Sequence, residues 1–259
     1  MKDQILSYLD PSLHGSILYF DTIDSTNTQA KILAARGAPH GTVLIADHQT
    51  GGRGRLGRTF LSPAGTGIYM SMILRPHCPP GQLMHLTCAA AVAMCGAVEK
   101  AAGVRPGIKW TNDLVYRDRK LAGILTELGF SPDGNVDWAV IGVGINCLQS
   151  PGDFDASIRS FAGSVAMFAP CGRAVLAAAM AQALWDMDLS RKDAVMAAYR
   201  RDCITLGREV SLVRADGIVR RGRAVDIGAD GELMVEFTPG VREAVSSGEV
   251  SVRGMYGYT

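Results

Sequence analysis

Apolar residues cluster in short blocks along most of the chain, and glycine or other turn-forming residues separate the blocks. Blocks of roughly four to eight residues with such borders predict β-strands. The predicted strands cover residues 16–21, 41–47, 67–74, 108–116, 121–128 and 138–146. The turn at 117–119 predicts a hairpin, and alternation along a continuous strand over 108–116 would separate odd-numbered from even-numbered side chains.

Apolar residues at helical spacing predict four helices. One follows Asp24-Ser25-Thr26-Asn27 and runs to residue 35, and the others cover 82–101, 173–186 and 191–203. Thr26 and Gln29 match a capping box, and Gly37 and Gly103 predict the ends of the first two helices. Residues 151–170 show no clear pattern.

The composition changes after Leu206-Gly207, where short β segments follow one another. They cover 210–213, 220–227, 232–237 and 249–253, and Asp230-Gly231 predicts a hairpin turn. We therefore expect an α+β domain over residues 1–205 and a small β-barrel over residues 206–259, with the boundary near Thr205.

Composition narrows the class of protein. The 259 residues are 47% hydrophobic and 20% charged, which is typical of globular domains, and the formal net charge of +1 offers no basic field for a nucleic acid. The start of the chain lacks the features of a signal peptide, and the most apolar segment, 83–98, predicts a buried helix rather than a membrane span. The six cysteines form no C-x-x-C pair and the five histidines show no metal-ligand spacing, so we expect a cytoplasmic protein with reduced, buried cysteines.

Residues 49–58 carry the strongest chemical signal, with the sequence Q-T-G-G-R-G-R-L-G-R. Glycines let a backbone approach a ligand closely, and arginine matches the oxygens of carboxylates and phosphates. The segment matches neither a Walker A loop nor a dinucleotide fingerprint. It predicts a loop that wraps an anionic ligand, although a solvated loop or an RNA contact would share this composition.

Five segments, in the same order along the chain, resemble motifs of the biotin protein ligase family. They are residues 24–27 (D-S-T-N), 52–58 (G-R-G-R-L-G-R), 108–114 (I-K-W-T-N-D-L), 120–125 (K-L-A-G-I-L) and 141–146 (I-G-V-G-I-N). The resemblance implies a mixed sheet with helices, similar to class II aminoacyl-tRNA synthetases, and an SH3-like C-terminal barrel. It also implies an enzyme that uses ATP and Mg²⁺ to form biotinyl-5'-AMP and then biotinylates a lysine of a biotin carboxyl carrier protein.

The resemblance also implies roles for individual residues. Biotin-binding residues would be Ser25, Thr26, Asn27, Gln49, Gly52, Arg53, Arg55, Trp110, Lys120 and Gly123. Residues for ATP and the adenylate would be Arg53, Arg55, Arg58, Phe60, Asn112, Lys120 and Asn146. The implied catalytic residues are Lys120, Arg55 and Asp113. Asp113 is also a candidate ligand of Mg²⁺, a partner for a loop arginine, or the base that deprotonates the acceptor lysine.

Several alternatives remain open at this point. Thr26 would also suit a helix cap, Trp110 a core position, and Asn146 the end of its strand. Thr111 replaces the family's proline, and Phe60 stands where the family often has tryptophan. About 15 residues precede the first strand, too few for a helix-turn-helix, so we expect the form without a DNA-binding domain.

Three functions compete with biotin ligation: a lipoate or octanoate ligase or transferase, a biotin sensor without catalysis, and an RNA-binding protein. The first would share the fold and the lysine but would need an apolar acyl slot. The second would keep the pocket without turnover, and the near-neutral charge argues against the third. Biotin ligation predicts that the glycine-arginine loop closes over the adenylate to exclude water, and it allows a homodimer.

Overall fold

The computed structural model describes residues 1–214, 218–246 and 250–253. The larger of its two sheets contains β1 (Ile17–Ile23), β2 (Val43–Gln49), β3 (Gly67–Leu74), β4 (Gly107–Lys109), β5 (Asp113–Tyr116), β6 (Arg119–Phe130) and β7 (Val136–Asn146). Their order is β1-β2-β3-β7-β6-β5-β4. β1 and β2 are parallel and the other neighbours are antiparallel, so the predicted mixed sheet is confirmed.

Helices cover both faces of this sheet, which explains why β3 is buried at every position. The helices of the described residues are α1 (Lys2–Leu6), α2 (Thr26–Ala35), α3 (Leu86–Ala102), α4 (Arg173–Trp185) and α5 (Lys192–Asp202). On one face, Ala30 and Ala34 of α2 pack against β2, β3 and β7. α3 and α4 pack against each other within the main core. The α2 crossover lets β1 and β2 run parallel.

The helix predicted over residues 82–101 is interrupted at His85. A short 3-10 turn, Pro80–Leu83, precedes α3, and α3 ends at Gly103 with φ +70°, as predicted. By length and composition alone, Pro80–Ala102 would be able to cross a membrane, but 61% of its most apolar window is buried within the protein. The segment is therefore a core helix, as its alanine-rich sequence predicts.

The prediction of one strand over residues 108–116 is wrong. β4 and β5 are separate antiparallel strands that pair Lys109 with Asp113, and the chain turns between them. The Trp110–Thr111 peptide bond in this turn is cis. The hairpin between β5 and β6 is confirmed, and Arg117 and Asp118 at its turn have positive φ.

The C-terminal part forms a second, five-stranded antiparallel sheet in the order β11-β10-β9-β8-β12. Its strands are β8 (Glu209–Arg214), β9 (Val219–Ile227), β10 (Leu233–Thr238), β11 (Val241–Val245) and β12 (Val250–Arg253). The predicted turn at Asp230-Gly231 joins β9 to β10, while β11 was not predicted. The predicted strand residue Glu249 lies outside the described residues. The domain boundary near Thr205 stays a prediction.

All six cysteines are free thiols, as predicted. Cys88, Cys95, Cys147 and Cys203 are buried. The expectation of burial is wrong for Cys78 and Cys171, which are partly exposed. Cys171 lies with its sulphur 3.8 Å from that of Cys147.

Candidate active site

A cavity of about 200 Å³ lies where the start of α2, the loop after β2 and strands β4 to β7 meet. All the residues singled out from the sequence line this cavity except Gly52 and Asn146. Those that line it are Ser25, Thr26, Asn27, Gln49, Arg53, Arg55, Arg58, Phe60, Trp110, Asn112, Asp113, Lys120 and Gly123. A second cavity of about 380 Å³ lies beside the same loop and shares Arg53 to Leu56.

One end of the cavity is lined by hydroxyl and amide groups. Gln49 Oε1 accepts hydrogen bonds from the Thr26 backbone N–H at 2.8 Å and from its hydroxyl at 3.1 Å. Gln49 Nε2 donates to Ser62 Oγ at 2.9 Å. Ser25, rather than Thr26, caps α2, and its Oγ accepts from Thr28 N at 3.5 Å. The capping-box prediction for Thr26 is wrong because Thr26 lies inside the first turn and bonds to Gln49.

Asn27 is held by protein groups on every side. Its amide nitrogen donates to Glu127 Oε2 at 3.0 Å and to the Leu125 carbonyl at 3.3 Å, and its Oδ1 lies 2.6 Å from the buried Ser71 hydroxyl. Burial raises the pKa of Glu127, but hydrogen bonds from Lys31 and Asn27 outweigh burial and keep this pKa below its usual value. These bonds fix the Asn27 side chain as part of the cavity wall.

The glycine-arginine loop folds back on itself as a narrow hairpin. Gly54 N donates to the Arg58 carbonyl at 2.7 Å, and Phe60 N donates to the Gly52 carbonyl at 3.0 Å. Gly52 is buried beneath the loop, where a Cβ would lie 2.2 Å from the Phe60 carbonyl oxygen. Gly52 therefore permits the path of the loop instead of lining the cavity.

Two arginines anchor this hairpin to the sheet. Arg55 Nη1 donates to Asn112 Oδ1 at 3.0 Å, and Asn112 Nδ2 donates to the Ile124 carbonyl at 2.8 Å. Arg53 lies 3.5 Å from Glu127 Oε1. Burial lowers the pKa of Arg55, while the nearby Asp113 opposes this effect. Arg55 is thus a partly desolvated cation, and its field acts strongly within the cavity.

Lys120 Nζ forms an ion pair with Asp113 Oδ1 at 2.8 Å. Beside it, a Cβ at Gly123 would lie 3.5 Å from Lys120 Nζ, so the glycine leaves the space around the ammonium open. The backbone of Lys120 is fixed too, because its N–H donates to Phe161 O at 2.7 Å and its carbonyl accepts from Gly163 N at 2.9 Å. The lysine therefore reaches the cavity from a rigid base.

Asn146 lies outside the lining of the cavity, and its predicted contact with the nucleotide has no support in this geometry. Its Nδ2 donates to the Gly163 carbonyl at 3.0 Å, and its Oδ1 accepts from Gln149 Nε2 at 3.3 Å. Gly163 belongs to the segment that pairs with the Lys120 backbone. Asn146 therefore contributes to the support behind Lys120, which agrees with the alternative that it ends its strand.

Lys109 lines the cavity and was not predicted as a site residue. It is 5% exposed, and burial lowers its pKa to about 8, with Asp113 opposing the shift and Lys120 and Arg58 adding to it. The available signal was a lysine inside an apolar strand. Alternation over 108–116 also places Lys109 on the face of the candidate residue Asp113, a second signal that the prediction did not use.

Two glycines of β7 make room for side chains that border the cavity. A Cβ at Gly142 would lie 1.9 Å from Asn27 Oδ1, and a Cβ at Gly144 would lie 2.6 Å from the Phe60 ring. Phe60 also contacts Tyr69 edge to face, with ring centroids 6.4 Å apart. The G-x-G spacing puts both glycines on one face of β7. This pattern was seen in the sequence, but its steric role was not predicted.

Trp110 connects the cavity to the C-terminal sheet. Its side chain is 5% exposed and lines the cavity, and its indole N–H donates to the Gly231 carbonyl at 2.8 Å. Its backbone N–H donates to Thr205 Oγ1 at 2.9 Å. Trp110 thus fits both alternatives, because it is buried and also lines the cavity, while its indole nitrogen bonds to the turn before β10.

The cavity does not fit a metal ion held by the protein. Among the described residues, Asp113 is the only carboxylate in its lining, and that carboxylate is paired with Lys120. No cluster of three or more His, Cys, Asp or Glu side chains suited to a metal occurs in the described part of the chain. Asp113 pairs with Lys120 and the loop residue Arg55 bonds to Asn112, so the geometry favours neither Mg²⁺ nor a loop arginine as the partner of Asp113.

A loop of arginines and a lysine beside a polar recess can bind a ligand that carries a carboxylate or a phosphate. Residues 19–146 match the model of the biotin/lipoate A/B protein ligase family, and residues 205–253 match the biotin protein ligase C-terminal domain. The chain is 34% identical to the biotin--[acetyl-CoA-carboxylase] ligase of Mycobacterium tuberculosis over 234 residues, which cover 87% of this chain and 85% of that protein. The chain therefore belongs to the biotin protein ligase family.

Longer relatives match only in part. The chain is 42% identical to the bifunctional ligase/repressor BirA of Bacillus subtilis over 153 residues, which cover 59% of this chain and 47% of that protein. The match thus spans about half the length of this relative. Among solved structures, biotin protein ligase from Aquifex aeolicus in complex with biotin and ATP superposes with a TM-score of 0.74 at 26% identity, covering 92% of this chain and 98% of that chain.

Proposed function

We propose that this protein is a biotin protein ligase that activates biotin with ATP and transfers it to a lysine of a biotin carboxyl carrier protein. One observation carries the proposal. Arg55 and Lys120 line one cavity together with the hydroxyl and amide groups of Ser25, Thr26 and Gln49. A ligand with a neutral polar ring at one end and a carboxylate at the other matches this distribution of charge.

In the first step, a carboxylate oxygen of biotin attacks the α-phosphorus of ATP. The new oxygen–phosphorus bond replaces the bond to the β-phosphate, pyrophosphate leaves, and biotinyl-5'-AMP remains. The reacting groups are both anionic, so fixed cations lower their repulsion and stabilise charge that develops on the transferring phosphorus. Lys120 and Arg55 have this role, and Asp113 orients Lys120 through the 2.8 Å ion pair.

In the second step, the amine of the acceptor lysine attacks the carbonyl carbon of the adenylate. A carbon–nitrogen bond forms, the bond to AMP breaks, and the nitrogen loses a proton. A free lysine is mostly protonated at neutral pH, with a reference pKa of about 10.4. The pairing of Asp113 with Lys120 favours an orienting role for this carboxylate over the role of base.

The polar end of the cavity suits the ureido ring of biotin. Ser25, Thr26 and Gln49 present hydroxyl and amide groups there, and Phe60 packs over Gly144 nearby. A lipoyl or octanoyl chain would displace water from these polar groups without offering a hydrogen bond in return, which costs free energy. Stacking of Phe60 on adenine, binding of ATP by Arg58, and a homodimeric state stay predictions. We also propose that the protein acts in the cytoplasm.

A single assay tests this function. The protein is incubated with a biotin carboxyl carrier domain, ATP, biotin and Mg²⁺, and the carrier is weighed by mass spectrometry. The carrier should gain one biotinyl group on one lysine. Loss of one transition-state cation costs on the order of 10²- to 10³-fold in rate, so Lys120→Ala and Arg55→Ala should both be strongly impaired.

Lys100→Ala is a matched control because Lys100 is exposed on α3, away from the cavity. An unmodified carrier together with pyrophosphate release would indicate another acceptor. Tight biotin binding without pyrophosphate release would instead show a sensor, and modification by lipoate in preference to biotin would show a lipoate ligase. Either of the last two results would overturn the proposal.

A further inference from the structure

The cavity carries more positive charge than biotin alone would need. Its lining contains five cations, Arg53, Arg55, Arg58, Lys109 and Lys120, and among the described residues one carboxylate, Asp113. Arg53 is paired with Glu127, and the proposed first step uses Arg55 and Lys120. Lys109 has no part in that step, although burial of an ammonium group is unfavourable unless other charges compensate.

Strand pairing fixes where Lys109 lies relative to the other groups. Lys109 is directly opposite Asp113, Asp113 is opposite Gly123, and Gly123 is opposite Gly144. Directly opposite residues of antiparallel strands point to the same face of the sheet, and neighbouring strands are about 4.8 Å apart. Lys109 therefore lies roughly 10 Å from Gly123 along this row, on the side away from Gly144 and the polar end.

We propose that Lys109 binds the pyrophosphate portion of the nucleotide, beyond the α-phosphate that Lys120 meets. This inference rests on the proposed function for the identity of the nucleotide. Asp113 then lies between two lysines, one for each side of the bond that breaks. When that bond breaks, charge moves onto the leaving pyrophosphate, and a fixed ammonium beside it stabilises the transition state.

The charge state of Lys109 should change when the nucleotide binds, and this change can be measured without following turnover. Burial lowers the pKa of Lys109 to about 8, Asp113 opposes the shift, and Lys120 and Arg58 strengthen it. On the α5 side, Tyr199 donates its hydroxyl hydrogen to the Thr111 carbonyl and carries no charge there. Phosphate oxygens beside Lys109 favour its charged form, so a protein near pH 8 should take up protons when the nucleotide binds.

The test is calorimetric titration of the full chain at pH 8 with pyrophosphate, with a non-hydrolysable ATP analogue and with biotin, each in two buffers of different ionisation enthalpy. A charge-assisted hydrogen bond contributes roughly 1.5–3 kcal/mol, so Lys109→Gln should weaken pyrophosphate and analogue binding about 10- to 100-fold. Lys109→Arg keeps the charge and should restore most of the affinity without proton uptake. Biotin affinity should be unchanged in both variants.

Equal weakening of biotin binding by Lys109→Gln would show that the lysine meets the carboxylate instead, and it would overturn the inference. Unchanged affinity for pyrophosphate and analogue would overturn it as well. Lys100→Gln controls for loss of a lysine, and thermal unfolding checks that each variant is folded. A wild-type protein that binds the nucleotide through Lys109 but never binds biotin would contradict the proposed function and leave this inference intact.

Discussion

Two glycines decide how closely the walls of the cavity approach each other. At Gly142 and Gly144, the side chains of Asn27 from α2 and of Phe60, just after the glycine-arginine loop, occupy the space of the missing Cβ atoms. Interiors are close-packed, so even one added methyl group must displace a neighbour. The same steric logic applies to Gly52, where the backbone of the loop itself would be displaced.

Gly144→Ala should disturb both the fold and the cavity. The new Cβ would lie 2.6 Å from the Phe60 ring and push the ring into the cavity. Overpacking of this kind costs about 1–3 kcal/mol, and we expect a similar loss in biotin binding free energy. Calorimetric titration with biotin and denaturant unfolding measure both effects. The control is Gly15→Ala, where no atom lies within 4 Å, and equal behaviour of the two variants would contradict the steric role.

The burial of Lys109 should make stability depend on pH. Its pKa is lowered from 10.5 to about 8 in the folded protein, so the penalty for burying the ammonium is fully present below pH 8 and fades as the pH rises toward 10.5. Lys109→Met removes this penalty. We expect the variant to be more stable than wild type at pH 7, with a difference that shrinks by pH 10.

Denaturant unfolding at several pH values, with Lys100→Met as the exposed control, measures this difference. A gain in stability that does not change with pH would mean that the lysine is not desolvated. Lys109→Met should also lose nucleotide affinity. Lys109 would then be a residue that destabilises the folded protein but strengthens ligand binding.

At the scale of helices and strands, periodicity predicts much of the fold. β3 matches the predicted 67–74 because a mostly apolar run bounded by turns fits a buried strand. The segment 108–116 was also predicted as one strand although it carries more polar residues, and the chain turns at Trp110–Asn112, where hydrogen bonds with distant residues hold the backbone. Such long-range partners, Thr205 and Tyr199, leave no trace in a local window.

In the candidate site too, residues within sequence motifs were predicted, whereas residues whose roles depend on long-range hydrogen bonds were missed. Ser25, Thr26 and Lys120 were singled out because they lie in recognisable motifs, and the structure brings them to one cavity. Ser62 and Ser71 were missed, since their importance comes from bonds to Gln49 and to Asn27 across the sheet. Ser71 interrupts an apolar strand, which was the one signal available.

The glycine-arginine loop should be a locally unstable element without ligand. Its residues 53–59 are mostly exposed or half-buried, and few long-range contacts, such as Arg55 with Asn112, tie it to the sheet. Elements of this kind open at low free energy. We expect the amides of residues 51–58 to exchange quickly and to gain protection with biotin or the adenylate, as measured by hydrogen exchange. The amides of β3 serve as the unchanged control. Equal protection of the loop with and without ligand would contradict the prediction that the loop closes over the adenylate.

At the scale of the whole molecule, the C-terminal sheet is attached to the rest of the chain through helices α3 and α5 and through Trp110. Arg200 of α5 donates to the Ile227 carbonyl at 2.7 Å, and Lys192 pairs with Asp230. Gly231, with φ +93°, occupies a position where a Cβ would lie 2.8 Å from Cys88 Sγ. The β9–β10 turn is therefore packed tightly against α3 and α5, and it is joined to the cavity lining through Trp110.

Through Trp110, the C-terminal sheet should influence biotin binding, and biotin should influence the sheet. Trp110→Phe keeps an aromatic wall but leaves the buried Gly231 carbonyl without its donor, a change that costs about 1–3 kcal/mol. We expect a less stable protein with weaker biotin binding. Coupling between two sites is reciprocal, so biotin should also raise the exchange protection of the wild-type turn at residues 228–231. The amides of β12, at the edge of the second sheet three strands away from β10, should not respond. If biotin leaves the exchange protection of the turn at residues 228–231 unchanged, Trp110 has only a packing role. The C-terminal sheet then has no thermodynamic link to the cavity through this residue.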